Sequence, residues 1–411
     1  IGYVYLTASS VTFSDNLVNS DSCVSGQSNS NGGGGVYVAA FGTQFVAQLN
    51  GVTATNNMVL TRNNEALSSN NNGGAGVYLV SKVMIDLMAS SITLRDNLVN
   101  SDSSVATSYG NANGGAGMYA YPYGTVLIAQ LTGVEAMNNT VTTRDNLALG
   151  GANNNGGGGV YLNSNGVVIL TASSIRLHSN LVNSDSCVCT ESNNANGGAG
   201  LYVFAIGTAL LAQLNGVEAT NNTVTAQYSN ATNGNSNGGG GVYLTSIGLL
   251  NLTASSIILR DNLVNSDSCV STQFGNANGG AGMYAQALGT LLAQLNGVEG
   301  TENTVSTQNS SAVDINSNGG SVLYLLGKAA LQLNITSALL SDNMFVGEQS
   351  AANVNRNGGA GIYSNAVAIF ASLYDVSGRN TSVNVISNNA NDNNQNGGGV
   401  FYFLSSAGGT V

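Results

Sequence analysis

One tripeptide environment returns along the whole of this 411-residue sequence: a glycine-rich turn, an apolar residue, a tyrosine and usually another apolar residue. The tyrosines are Tyr37, Tyr78, Tyr119, Tyr161, Tyr202, Tyr243, Tyr284, Tyr324, Tyr363 and Tyr402, spaced 39 to 42 residues apart. That spacing is too regular for chance and too long for a heptad or leucine-rich repeat, so one repeat is read as one structural turn.

A second marker follows each tyrosine by about 20 residues, as in VTFSDNLV, VTATNNMV, ITLRDNLV and VEATNNTV. Its asparagine recurs at Asn16, Asn57, Asn97, Asn139, Asn180, Asn222, Asn262, Asn303 and Asn343. In the tenth copy, VSGRNTSV, Asn380 comes one place early and Thr381 takes the slot. TASSI-type segments (Thr7, Ala89, Thr171, Thr253) alternate with AQLNGVEATNN-type segments (Ala47, Ala129, Ala212, Ala293). The true period is therefore a two-turn cassette of about 82 residues, and residues 1–411 read as one solenoid whose last two turns are the most diverged.

Within a turn the apolar runs are short, rich in Val, Ile, Leu and Thr, and bounded by Gly or Asn, as in GVYLNSNGVVILTASSIRLHSNLV from Gly159 to Val182. They alternate rather than recur at i, i+3 and i+4, which specifies strands and not helices. Strands that return once per turn bury their apolar face by stacking in register as parallel sheets. The expected fold is all-β: a right-handed parallel β-helix of about ten turns of about 41 residues, with three short strands per turn plus one long Asn/Ser/Gly-rich loop. Handedness follows from the crossover rule, and a strand spacing near 4.8 Å makes a rod on the order of 50 Å long. The loop, for example CVCTESNNANGG from Cys187 to Gly198, is expected to project from one corner. Glycine pairs such as Gly197–Gly198 supply positive φ and close stacking at its return, and the asparagine column reads as an inward structural ladder of side-chain amides.

Gly74–Ala75, Gly115–Ala116, Gly198–Ala199, Gly280–Ala281 and Gly359–Ala360, alternating with Phe13-Ser-Asp-Asn16, resemble the GGA and FxxN repeats of polymorphic outer-membrane proteins. The resemblance spans nearly the entire chain, although Phe stands in the first FxxN motif alone and gives way to Leu, Ala or Gly elsewhere. It implies a secreted β-helical protein with a role at the cell surface.

Composition narrows the function. Nine basic and 20 acidic residues give a net charge of −11, which provides no footprint for a phosphate backbone, so nucleic acid is not an expected partner. No stretch approaches 18 uninterrupted apolar residues, so no membrane insertion is expected. Polysaccharide-cleaving enzymes on such a fold need clustered carboxylates, a Ca²⁺ site or a basic catalyst on one strand face, and acidic residues are sparse here. Asp96 beside Arg95 and Asp261 beside Arg260 read as surface charge balance. His178, the one histidine, fills the slot of Arg95 and Arg260 and reads as a solvated repeat variant. Asp21, Asp102, Asp185 and Asp267 fall on alternate turns, roughly 10 Å apart, too far for one ion to bridge. No catalytic residue, metal site or cofactor is assigned, and the chain is not expected to be an enzyme. Cys23, Cys187 and Cys269 share one position and Cys189 is an extra. They read as small buried or loop thiols, with a local Cys187–Cys189 bridge or links between chains as the other reading.

N-glycosylation sequons stand at Asn138, Asn221, Asn230, Asn251, Asn309, Asn334 and Asn380, with Asn230 and Asn309 placed in the long loops. Alternation in GVYL puts Val and Leu on one face and Tyr on the other. The tyrosines therefore read either as an outward stripe able to bind sugar rings or as an aromatic ladder partly covered by the loop. The chain opens on Ile1, in the second strand of a turn, and closes in a first strand and its bend. That continuity reads as a processed form or excerpt, partnered head to tail by itself or by adjoining turns of a longer chain. The expected function is a structural repeat of a glycosylated extracellular filament or cell-surface coat. A surface adhesin holding carbohydrate is the alternative, and a polysaccharide-degrading enzyme comes third.

Overall fold

Short β-branched runs separated by Gly, Asn, Asp and Ser bend at fixed intervals, and the bends set the path of the chain. The computed structural model describes residues 3–26, 29–41, 44–67, 70–107, 111–150, 152–190, 193–273, 275–349, 351–386 and 389–405. Among them there is no helix. The strands fill three sheets of 22, 18 and 10 strands, stacked in parallel as a solenoid. A typical repeat runs Val160–Ser164, Val167–His178, Leu181–Asp185, Val188–Cys189 and Asn193–Gly197. Each strand pairs with its counterpart one repeat on: Tyr161 lies opposite Tyr202, Ile175 opposite Val217, Val182 opposite Val224, Cys189 opposite Ala231 and Asn196 opposite Asn237.

The bends need left-handed backbone. Ser174, Ser179 and Ser186 of this repeat have φ of 55°, 53° and 53°, a region that short polar side chains tolerate because they can bond locally. Where the chain re-enters the first strand, a glycine is required for a different reason. A Cβ on Gly197 would lie 2.3 Å from the Gly238 carbonyl oxygen and 2.4 Å from Cδ2 of Tyr243; the bare backbone is what lets the tyrosine ring lie flat against it.

The Asn-rich segment is not a projecting loop. It forms two further short strands per repeat, and these build the 18-stranded sheet. The reason lies in its own period of two: in Asn194-Ala195-Asn196-Gly197 the two asparagines turn inward and are fully buried, where in-register copies satisfy each other. Composition that would mark a loop in an isolated segment marks a strand when the same residues recur one repeat above and below.

The interior divides into separate clusters. Val160, Leu162, Val168, Leu170, Ala172, Ile175 and Leu177 join the main apolar core, each Leu, Ile or Val contributing roughly 1.5–3 kcal/mol by burial. A second apolar column stacks Val59, Val99, Val141, Val182 and Val224 against Ala75, Ala116 and Ala199. The tyrosines form a separate cluster on the other side of the first strand.

Candidate functional site

The asparagine column at Asn16, Asn57, Asn97, Asn139, Asn180, Asn222, Asn262, Asn303 and Asn343 is a continuous inward chain of amides. Nδ2 of each donates to Oδ1 of the next, at 2.9 Å from Asn180 to Asn222 and 3.0 Å from Asn222 to Asn262. The same Oδ1 also accepts the backbone N–H of the preceding copy, as from Asn180 to Asn222 at 3.1 Å. The second N–H of Nδ2 reaches back to a carbonyl one repeat earlier, Asn222 to Leu177 at 2.9 Å. All four hydrogen-bonding positions of the amide are filled, which is the condition for burying it without cost. At Thr381 the amide is missing, and Asn380, one place early, instead donates outside the core to Asp342 at 3.0 Å.

Two more ladders run through the 18-stranded sheet. One links Asn29, Asn70, Asn111, Asn153 and onward to Asn355. The other links Asn31, Asn72, Asn113 and onward to Asn396. Reading the segment as a loop concealed them; the recurring Asn-x-Asn-Gly was the signal that could have exposed them.

The tyrosine column is not an outward stripe. Tyr78, Tyr119, Tyr161, Tyr202, Tyr243, Tyr284, Tyr324 and Tyr363 are at most 1% exposed, because the 18-stranded sheet folds over the face that alternation turns away from Val and Leu. The end members differ: Tyr37 is exposed and Tyr402 partly so. The rings stack face to face, with centroids 4.7 Å apart for Tyr161 and Tyr202 and 4.6 Å apart for Tyr243 and Tyr284. Burial pushes the phenols of Tyr78, Tyr119, Tyr202, Tyr243 and Tyr324 well above their ordinary pKa. The hydroxyls of Tyr119 and Tyr202 are buried with no hydrogen-bond partner.

The remaining candidates are dispersed. Asp21, Asp102 and Asp185 alternate in register with Arg62 and Arg144 on the 10-stranded sheet, and Gln227 separates Asp185 from Asp267. Arg260 pairs not with adjacent Asp261 but with Glu299 one repeat on, at 2.5 Å, while Asp96 accepts from Asn138 at 3.1 Å. His178 is exposed between Met137 and Thr220. None of the four thiols is joined in a disulfide. Cys23 is exposed; Cys187, Cys189 and Cys269 are buried, and burial pushes the Cys189 and Cys269 thiols up to about 12 and about 11. The seven sequon asparagines Asn138, Asn221, Asn230, Asn251, Asn309, Asn334 and Asn380 are all exposed. Asn138, Asn221, Asn309 and Asn380 sit at left-handed bends, Asn230 lies in the short strand Asn230–Ala231, and Asn251 and Asn334 lie on the outer face of long strands.

Among the described residues, no three His, Cys, Asp or Glu side chains gather in a group that could hold a metal ion, and no helix is long and apolar enough to cross a membrane. Comparison with protein-family models, with curated proteins and with solved structures finds no match to this chain.

Proposed function

We propose that the chain is a structural repeat protein of an extracellular filament or cell-surface coat, wound as a right-handed β-helix of about ten turns and carrying N-linked glycan. The observation that carries this reading is the translational character of the interior. From Asn16 to Asn343 each repeat presents to the next the same amide donors, amide acceptors and ring faces that it receives from the one before. Such a pattern favours growth along the axis, by turns of one longer chain or by copies joined through a heterologous, non-closing contact. The seven exposed sequon asparagines leave room for glycan without disturbing the ladders.

Electron microscopy of native material that has not been proteolysed tests this reading. Continuous filaments with axial spacing near 4.8 Å per turn, and glycan on the sequon asparagines by mass spectrometry, are the expected result. Isolated, capped and unglycosylated rods would refute it.

A further inference from the structure

Where the 18-stranded sheet folds back over the tyrosine column, a seam runs along the axis between the two sheets. Toward the C-terminal repeats it opens into a cavity of ≈ 500 Å³. One wall is Ser236, Ala277, Ser317, Arg356 and Gln395 from successive strands of the 18-stranded sheet; the other includes Gln286, Leu326 and Asn365 from the 22-stranded sheet. The cavity thus spans five successive strands, roughly 19 Å along the axis at the parallel-strand spacing.

This is where the repeat breaks its own rules. In the column of Ser236, Ala277 and Ser317, Arg356 is the first long side chain. The sequence has only two lysines, Lys82 and Lys328, each four residues after a column tyrosine, and Lys328 lines this cavity. Elsewhere arginines have carboxylates nearby, as Arg176 with Glu218 and Arg260 with Glu299. Among the described residues Arg356 forms no ion pair; its Nε is buried without a partner, and so is Oε1 of Gln395 opposite in register. Asp314 is the single carboxylate of the lining. A buried donor of a cation and a buried amide acceptor, both unmet, each cost free energy unless a ligand answers them.

We propose that this cavity binds an anionic saccharide, its acid group on Arg356 and Lys328 and its hydroxyls on Gln286, Asn365 and Gln395. Leu326, Ile315 and Leu404, all only partly buried in the lining, offer the apolar surface that a pyranose face requires. An acidic peptide suits the seam less well. The strands cross it at right angles and their N–H and C=O groups already bond the repeats above and below, so no strand edge is open for main-chain pairing. The site is independent of whether the chain forms filaments.

The test is calorimetric titration of the intact chain with oligogalacturonate, a sulfated oligosaccharide, neutral oligogalactoside and poly-glutamate. Binding of one or both anionic sugars, weakening with salt and reduced at least about tenfold by Arg356→Gln, is expected; which anion binds tighter tells carboxylate from sulfate. Lys328 is exposed, so Lys328→Ala carries the test should Arg356→Gln fail to fold. No binding of either anionic sugar, affinity unchanged in the variants at native thermal midpoint, or equal binding of the neutral oligomer or poly-glutamate overturns the proposal.

Discussion

Replacing Asn222 with leucine tests what holds the interior together. Asn222 is fully buried. Its amide donates to Asn262 at 3.0 Å and Leu177 at 2.9 Å and accepts two bonds from Asn180 at 2.9 and 3.1 Å. Leucine of similar size removes all four and leaves two donors of Asn180 buried and unmet, at about 1–3 kcal/mol each. Its methyl groups also enter a slot shaped by 2.9–3.0 Å contacts, whereas carbon needs about 3.5–4.0 Å; overpacking of this kind costs a further ~1–3 kcal/mol. A loss of at least about 3 kcal/mol follows. Asn230 sits on the exposed surface of the next strand segment, and Asn230→Leu should stay within about 0.5 kcal/mol. Guanidinium midpoints followed by far-UV circular dichroism compare the two, with amide exchange in the repeats flanking Asn222 as a local readout in case the solenoid unfolds in stages. Equal midpoints and equal exchange for the two variants would refute the ladder argument.

Other outcomes follow from the same interior. Tyr202→Phe should be neutral or slightly stabilising, since its buried hydroxyl has no partner; Tyr202→Ala should cost about 3–5 kcal/mol through lost ring burial. A thermal midpoint lowered as much by Phe as by Ala would show that the hydroxyl is bonded after all. Gly197→Ala should abolish folding or sharply lower the midpoint, because its Cβ meets the Gly238 carbonyl at 2.3 Å; a wild-type melting curve would contradict this. The column phenols are raised by burial. Above pH about 10 the unfolded chain loses protons that the folded chain keeps, so stability is full below that pH and falls as pH climbs toward the raised values. Tyrosinate absorbance from the column should therefore appear only with unfolding. Iodoacetamide at pH 8 should label Cys23 alone in the folded protein and all four thiols after denaturation, as counted by mass spectrometry.

The all-β class, the axial stacking and the inward asparagine column were legible because each rests on periodicity: 39 to 42 residues between tyrosines, two residues within a strand. The fate of Asn194 and Asn196 was not legible from composition. Their residue types signal a loop unless the copies at Asn235 and Asn237 stand one repeat away in register. The tyrosines show the same limit. Alternation put them opposite Val and Leu, but whether that face meets solvent depends on a sheet built from residues that resemble linker.

Sequence alone thus determined what repeats, and therefore what stacks on what, since parallel in-register pairing is a local consequence of period and alternation. Tertiary structure decided what covers what: it buried the tyrosine rings, turned linker-like asparagines into two ladders, and brought Arg356, Lys328 and Gln286 to one seam from three different strands. Contacts along the axis join copies of one position, which a sequence displays directly. Contacts across the seam join unlike positions, and only the path of the chain in space brings those together.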